Sequence, residues 1–201
     1  MPEGYAAAIA SLLVTALVVM GSPGPSTLSL VAAGVAHGTR GALGYGAGLV
    51  VGTATVLLAV ATGITAALLA VPALRTALLV AAAAYLVWLA YRLATAPPLG
   101  AGGQQSSPPS FAGGIVLGAL NPKAWVAIGV VFAGSHVAAS PAVDAMVKVL
   151  LLAGVIVVVH AGWLAAGRLL VPLLRSPRTA RLVNVFLAGL LVVTAALAVR
   201  P

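Results

Sequence analysis

Apolar positions along this chain neither alternate at the period of a strand nor keep to one helical face. They run on for about twenty residues at a time and pause at isolated basic residues. A run of about 20 apolar residues crosses a hydrocarbon core of about 30 Å as a helix. Six such segments follow from the pattern. The first covers Tyr5 to Ala36 and is interrupted at Pro23; the second, Ala42 to Ala70, carries no charge. The third lies between Arg75 and Arg92, short enough for both arginines to snorkel to the interfaces. The fourth, Phe111 to Val137, is interrupted by Asn121-Pro122-Lys123; the fifth spans Val149 to Leu170 and the sixth Leu182 to Val199.

The one sustained polar, Pro/Gly/Ser-rich stretch is 95–110, which reads as a loop between two halves, 1–94 and 111–201. Each half opens with a long apolar segment broken at proline: Pro23-Gly24-Pro25 in one, Asn121-Pro122 in the other. Three spans per half force the halves into opposite orientations. The pattern therefore predicts an all-α integral membrane protein of six transmembrane helices, a 3+3 inverted-topology repeat with spans one and four broken at the proline motifs.

Proline inside a helix frees a carbonyl, and in hydrocarbon such a group survives only against protein or a water-filled cavity. Each break also reads as a new helix start. Pro25 suits the first turn, followed by Ser26 and Thr27, while Asn121 can cap with Pro122 at the first helical position. Helix N-termini favour anions. In an inverted repeat the two would face one cavity and form a carboxylate site. Lys123 belongs to the same site, because a lysine inside a span marks function. The chain has only two acids, Glu3 and Asp144, and neither falls inside a predicted span. A proline kink, or a re-entrant segment that brings Lys123 to the interface, are the plainer readings.

Composition agrees with the membrane assignment. Of 201 residues 62% are apolar and 6% charged, with a mean hydropathy of +1.19; soluble domains are about a quarter charged. The net charge of +8 comes from basic residues at segment ends, which leaves no stripe for nucleic acid. The absence of cysteine excludes disulfides, zinc-thiolate sites and thiol relays. The N-terminus carries Glu3 where a signal peptide would be basic, so the first segment is expected to stay as a span. Arg40, Arg92, Arg168, Arg175, Arg178 and Arg181 against Arg75, Lys148 and Arg200 favour both termini outside.

Gly44, Gly48 and Gly52 recur every four residues, a spacing that lets membrane helices approach closely. Tyr85, Trp88 and Tyr91 read as interfacial anchors, whereas Trp125 and Trp163 are placed to line a cavity or pack. His37 and His136 lie near segment ends. His160 is the histidine well inside a span, either a core residue bonded to a neighbour or a proton carrier.

The stretches "SPGPSTL", "HGTRGALGYGAGLVVG", "AAAAYLVWLAYRL" and "LGALNPKAW" together resemble the LysE/RhtB family of amino-acid exporters, in order and spacing from about residue 5 to the C-terminus. The resemblance implies efflux of small amino acids or relatives across a bacterial cytoplasmic membrane, driven by the proton or the membrane potential. Its motif positions are Pro23, Gly24, Pro25, Asn121, Pro122 and Lys123, with Gly41, Gly48 and Gly52 among its glycines. Many members have an acid directly after the last of these glycines; this chain has Thr53. That weakens a cationic substrate and a carboxyl proton carrier.

The expected function is a secondary transporter of small neutral or zwitterionic amino acids or similar carboxylates. Ser26, Thr27, Asn121 and Lys123 would hold the carboxylate, with Thr53 and Trp125 facing the rest and His160 the candidate for proton coupling. Its partners are that small molecule and the lipid bilayer, with a homo-oligomer open; no cofactor or metal is expected. Export of an inorganic ion is the alternative, an anion before a metal cation, since the spans offer neither acid nor thiol. A membrane enzyme or assembly factor is a third class, for which Ser22 or Ser26 with Lys123 is the only conceivable dyad.

Overall fold

The computed structural model describes residues 2–63 and 109–174 continuously, with isolated positions between 71 and 95 and between 176 and 192. Most of the expected third and sixth spans, most of the 95–110 linker, Tyr85 and Trp88 lie outside the described residues. Regular structure among the described residues is helical: α1 (Pro2–Gly21), α2 (Pro25–Ala61), α3 (Phe111–Ala119), α4 (Pro122–Ala133) and α5 (Pro141–Leu174).

Among these, Gly4–Gly21, His37–Ala61 and Pro141–Gly167 are long and apolar enough to cross a membrane. The pair α3–α4, bent by 56° over the Asn121 break, makes a fourth if it counts as one span. The first segment therefore differs from the sequence reading. A single interrupted span was expected over Tyr5 to Ala36, yet α1 is long enough by itself, and the non-helical residues fall at its end.

α2 continues through Arg40, where a segment boundary was expected, but only by bending at Gly38 (φ 71, ψ 167). That positive φ is costly for any residue with a Cβ, so glycine is required at this bend. The fifth segment begins earlier than its charges suggested, because α5 takes in Asp144 and Lys148.

One apolar core joins α1, the end of α2, α4 and α5 through Leu12, Val56, Ile128 and Ile156, all nearly inaccessible. A second packs Leu30, Tyr45 and Leu49 of α2 against Leu164 of α5. Where the glycines of α2 and α3 meet there is no room for a side chain. A Cβ added at Gly48 would strike the Phe111 carbonyl oxygen, one at Gly52 that of Ile115, and one at Gly114 that of Tyr45. Backbone lies on backbone there, as expected where lipid gives no hydrophobic drive and close van der Waals contact must hold helices together. The stripe is shorter than the sequence periodicity suggests. A Cβ at Gly44 meets nothing within 4 Å, and one at Gly41 meets only His37 of its own helix.

The link from α4 to α5 is fastened by a buried ion pair. Lys148 Nζ lies 2.6 Å from Asp144 Oδ2 and donates to the Phe132 carbonyl at 2.9 Å. Asp144 Oδ1 accepts from the amides of Val137 (2.6 Å) and Ala138 (3.1 Å). Lys148 thus serves the protein interior rather than an interface, and one of the two acids in the chain is fully engaged.

Candidate substrate-binding site

The two helix starts meet. Ser26, one residue into α2, accepts a 2.7 Å hydrogen bond on its Oγ from Nδ2 of Asn121, which stands just before α4. Residues 95 positions apart in sequence are joined by this bond, and both side chains are buried.

Each start is locally encoded. Ahead of α2, the Thr27 hydroxyl donates to the Gly24 carbonyl (3.0 Å) and accepts from the Gly24 amide (2.9 Å). Pro25 at the first position lacks an N–H that would need a partner, and the amides of Ser26 and Thr27 remain first-turn donors without an intrahelical acceptor. Ahead of α4, Asn121 Oδ1 accepts from the Lys123 amide (3.1 Å), and the Asn121 carbonyl accepts from Ala124 (3.0 Å). The backbone donors of α4 are therefore consumed by its own cap. What α4 presents at its start is the Lys123 side chain, not the open amides that were expected at both starts.

The carbonyls released where helices end are taken up by side chains. Trp163 Nε1 donates to Gly21 at 3.0 Å, Trp125 Nε1 to Ala119 at 2.8 Å, and Lys123 Nζ to Ser22. This is how a chain in hydrocarbon tolerates interrupted helices, since an unpaired carbonyl there costs several kcal/mol by order of magnitude.

A cavity of about 40 Å³ (the volume open to the centre of a water) lies where these elements converge. One water needs roughly 10–15 Å³ by that measure, so the space takes a small polar molecule or a few waters. Gly24, Ser26, Thr27 and Thr53 of the α2 region, Asn121 and Lys123 at α4, and His160 of α5 line it, with Met20, Ile128 and Ile156 as apolar wall.

Seven of the residues singled out from sequence thus share one cavity. Pro23, Pro25 and Pro122 do not line it; their part is to end or start helices. Trp125 does not line it either, its indole being committed to Ala119. The partners of Lys123 and of both tryptophans are backbone carbonyls, which no residue pattern displays. Met20 also went unnoticed, as one apolar residue among many.

Thr53 Oγ1 and His160 Nε2 are buried with no hydrogen-bond partner in the described structure, whereas His160 Nδ1 lies 2.8 Å from the Ile156 carbonyl. Among the described residues no group of three or more His, Cys, Asp or Glu could hold a metal ion.

In comparison with known families the chain matches the LysE type translocator model over residues 17–200. Neither the curated proteins nor the solved structures contain a match to this chain.

Proposed function

The chain belongs to the LysE type translocator family, a multi-pass membrane transport family, and from that membership we propose that it exports small neutral or zwitterionic amino acids or related carboxylates. The observation that carries this reading is Lys123 at a cavity with no acid beside it. Of the two acids, Asp144 is paired with Lys148 and Glu3 lies in the first turn of α1. Met20 at the cavity is 17 residues further along that helix, about 25 Å at 1.5 Å per residue.

A cation so placed favours a ligand that brings its own negative charge. The carboxylate is received by Lys123 Nζ and by the first-turn amides of Ser26 and Thr27, whose helix adds its partial positive charge. Asn121 fixes Ser26 and so holds the two helix starts in register. A cationic substrate would add a second positive charge with no acid to offset it. His160 is the proposed proton carrier, being the ionisable group other than Lys123 that lines the cavity.

We place the protein in the bacterial cytoplasmic membrane with both termini outside. The halves 1–94 and 111–201 act as inverted repeats that rock about the cavity. Support for the repeat comes from the shared start of α2 and α4, each with proline at its first position and each contributing to one cavity.

The test is counterflow of a panel of amino acids in sealed proteoliposomes, with and without a pH gradient. Lys123→Ala is expected to abolish it while size-exclusion behaviour and helix content stay unchanged. Full counterflow in that variant would overturn the carboxylate clamp. Turnover of substrate without movement across the membrane would favour an enzyme.

A further inference from the structure

We infer that Thr53 and His160 form a receptor for the substrate's ammonium group, so that the cavity selects amino acids over carboxylic acids lacking the amine. This rests on the carboxylate site proposed above and adds its second pole.

Thr53 is 4% exposed and His160 6%, both line the cavity, and Thr53 Oγ1 and His160 Nε2 have no hydrogen-bond partner among the described residues. A buried polar atom without a hydrogen bond is destabilising, and native structures keep few of them. Of the three such side-chain atoms among the described residues, the third being Thr39 Oγ1, two belong to residues that line this one cavity. Their chemistry also agrees. A carbonyl can only accept, so the 2.8 Å contact with Ile156 requires the imidazole hydrogen on Nδ1. In the neutral ring Nε2 then presents a lone pair. A threonine hydroxyl accepts as well as donates. The cavity therefore has donors at Lys123, Ser26 and Thr27 and unused acceptors at Thr53 and His160.

That division matches a zwitterion: carboxylate to the donors, ammonium to the acceptors. Neutral acceptors suffice because the substrate supplies the opposite charge, which accounts for a site that works with Thr53 and no acid. Among the described residues Lys123 is the only other ionisable side chain at the cavity; Met20 of α1 and Ser26, Thr27 and Thr53 of α2 contribute none. A proton on Nε2 turns that atom into a donor. Proton and substrate amine therefore exclude each other at His160, which couples the release of one to the arrival of the other.

The experiment compares binding of glycine, alanine, serine and leucine with that of acetate, propionate, 3-hydroxypropionate and 4-methylpentanoate. Thermal stabilisation of the purified full chain is the readout. The unmodified protein is expected to prefer the amino acid of at least one pair by about tenfold or more, the scale of one charge-assisted hydrogen bond. In Thr53→Val and in His160→Phe that preference should fall towards unity while the carboxylic acid still binds. Thr53→Val is isosteric and guards against misfolding of the histidine variant. An undiminished preference in folded variants, or equal binding of both series to the unmodified protein, overturns the ammonium receptor and leaves the carboxylate site standing. Binding of neither series overturns both.

Discussion

Gly52 provides the sharpest test of how the helices are held together. A methyl group placed there would lie 2.8 Å from the Ala119 amide nitrogen and 3.0 Å from the Ile115 carbonyl carbon, and closer still to that residue's oxygen. Ordinary contact begins at 3.4 Å, so α2 and α3 must part by at least 0.6 Å to admit it. Every atom in the way is backbone, and no side chain can rotate aside. Overpacking of this kind costs about 1–3 kcal/mol. Alanine also favours helix over glycine by up to about 1 kcal/mol, which partly hides the effect. Gly44→Ala separates the two contributions. It lies in the same helix and has nothing within 4 Å, so it keeps the propensity gain without the clash. Gly52→Ala should therefore be less stable than Gly44→Ala by about 1–3 kcal/mol, at roughly 2–4 °C of melting temperature per kcal/mol for a chain of this size. Thermal unfolding of the detergent-purified proteins measures the difference. Equal melting temperatures would refute backbone-on-backbone packing as the contact between these helices.

Two further predictions concern the charges. Asp144→Ala leaves Lys148 buried without its acid and should destabilise by about 3–5 kcal/mol, whereas Asp144→Leu combined with Lys148→Met should recover only part of that loss, since the Val137 and Ala138 amides still lack their acceptor; melting of the three proteins decides it. Gly24→Ala places a methyl group against Lys123 Cδ. Counterflow should fall as that side chain is displaced, while the melting temperature moves by less than for Gly52→Ala; unchanged counterflow would show that the lysine need not sit where it does.

Much of the site was legible because the chemistry of membranes makes exceptions conspicuous. Lys123, Asn121 and the Pro-Gly-Pro stretch stand out in apolar surroundings; Lys123, Asn121 and Gly24 line one cavity, while Pro23 and Pro25 only end and start the helices beside it. Their detailed roles were less legible. Lys123 and Trp125 both turn to carbonyls, groups that every residue carries and none advertises. Gly44 obeys the same four-residue spacing as Gly48 and Gly52, yet α3 passes only the latter two; periodicity gives a face but not the length of its contact. Lys148 read as an interfacial charge because span ends are usually basic. Its spacing of four from Asp144 was the available sign that the two would pair inside α5.

The indole bonds at the helix ends have an optical consequence. The chain has three tryptophans, and two of them, Trp125 and Trp163, hold the carbonyls of Ala119 and Gly21 through their ring nitrogens. Indole emission responds to that hydrogen bond and to the polarity around the ring. With Trp88→Phe removing the third emitter, the protein's own fluorescence becomes a reporter of these two joints, and Trp163 stands one helical turn from His160. Rearrangement around a bound solute can then be followed in real time without an attached dye.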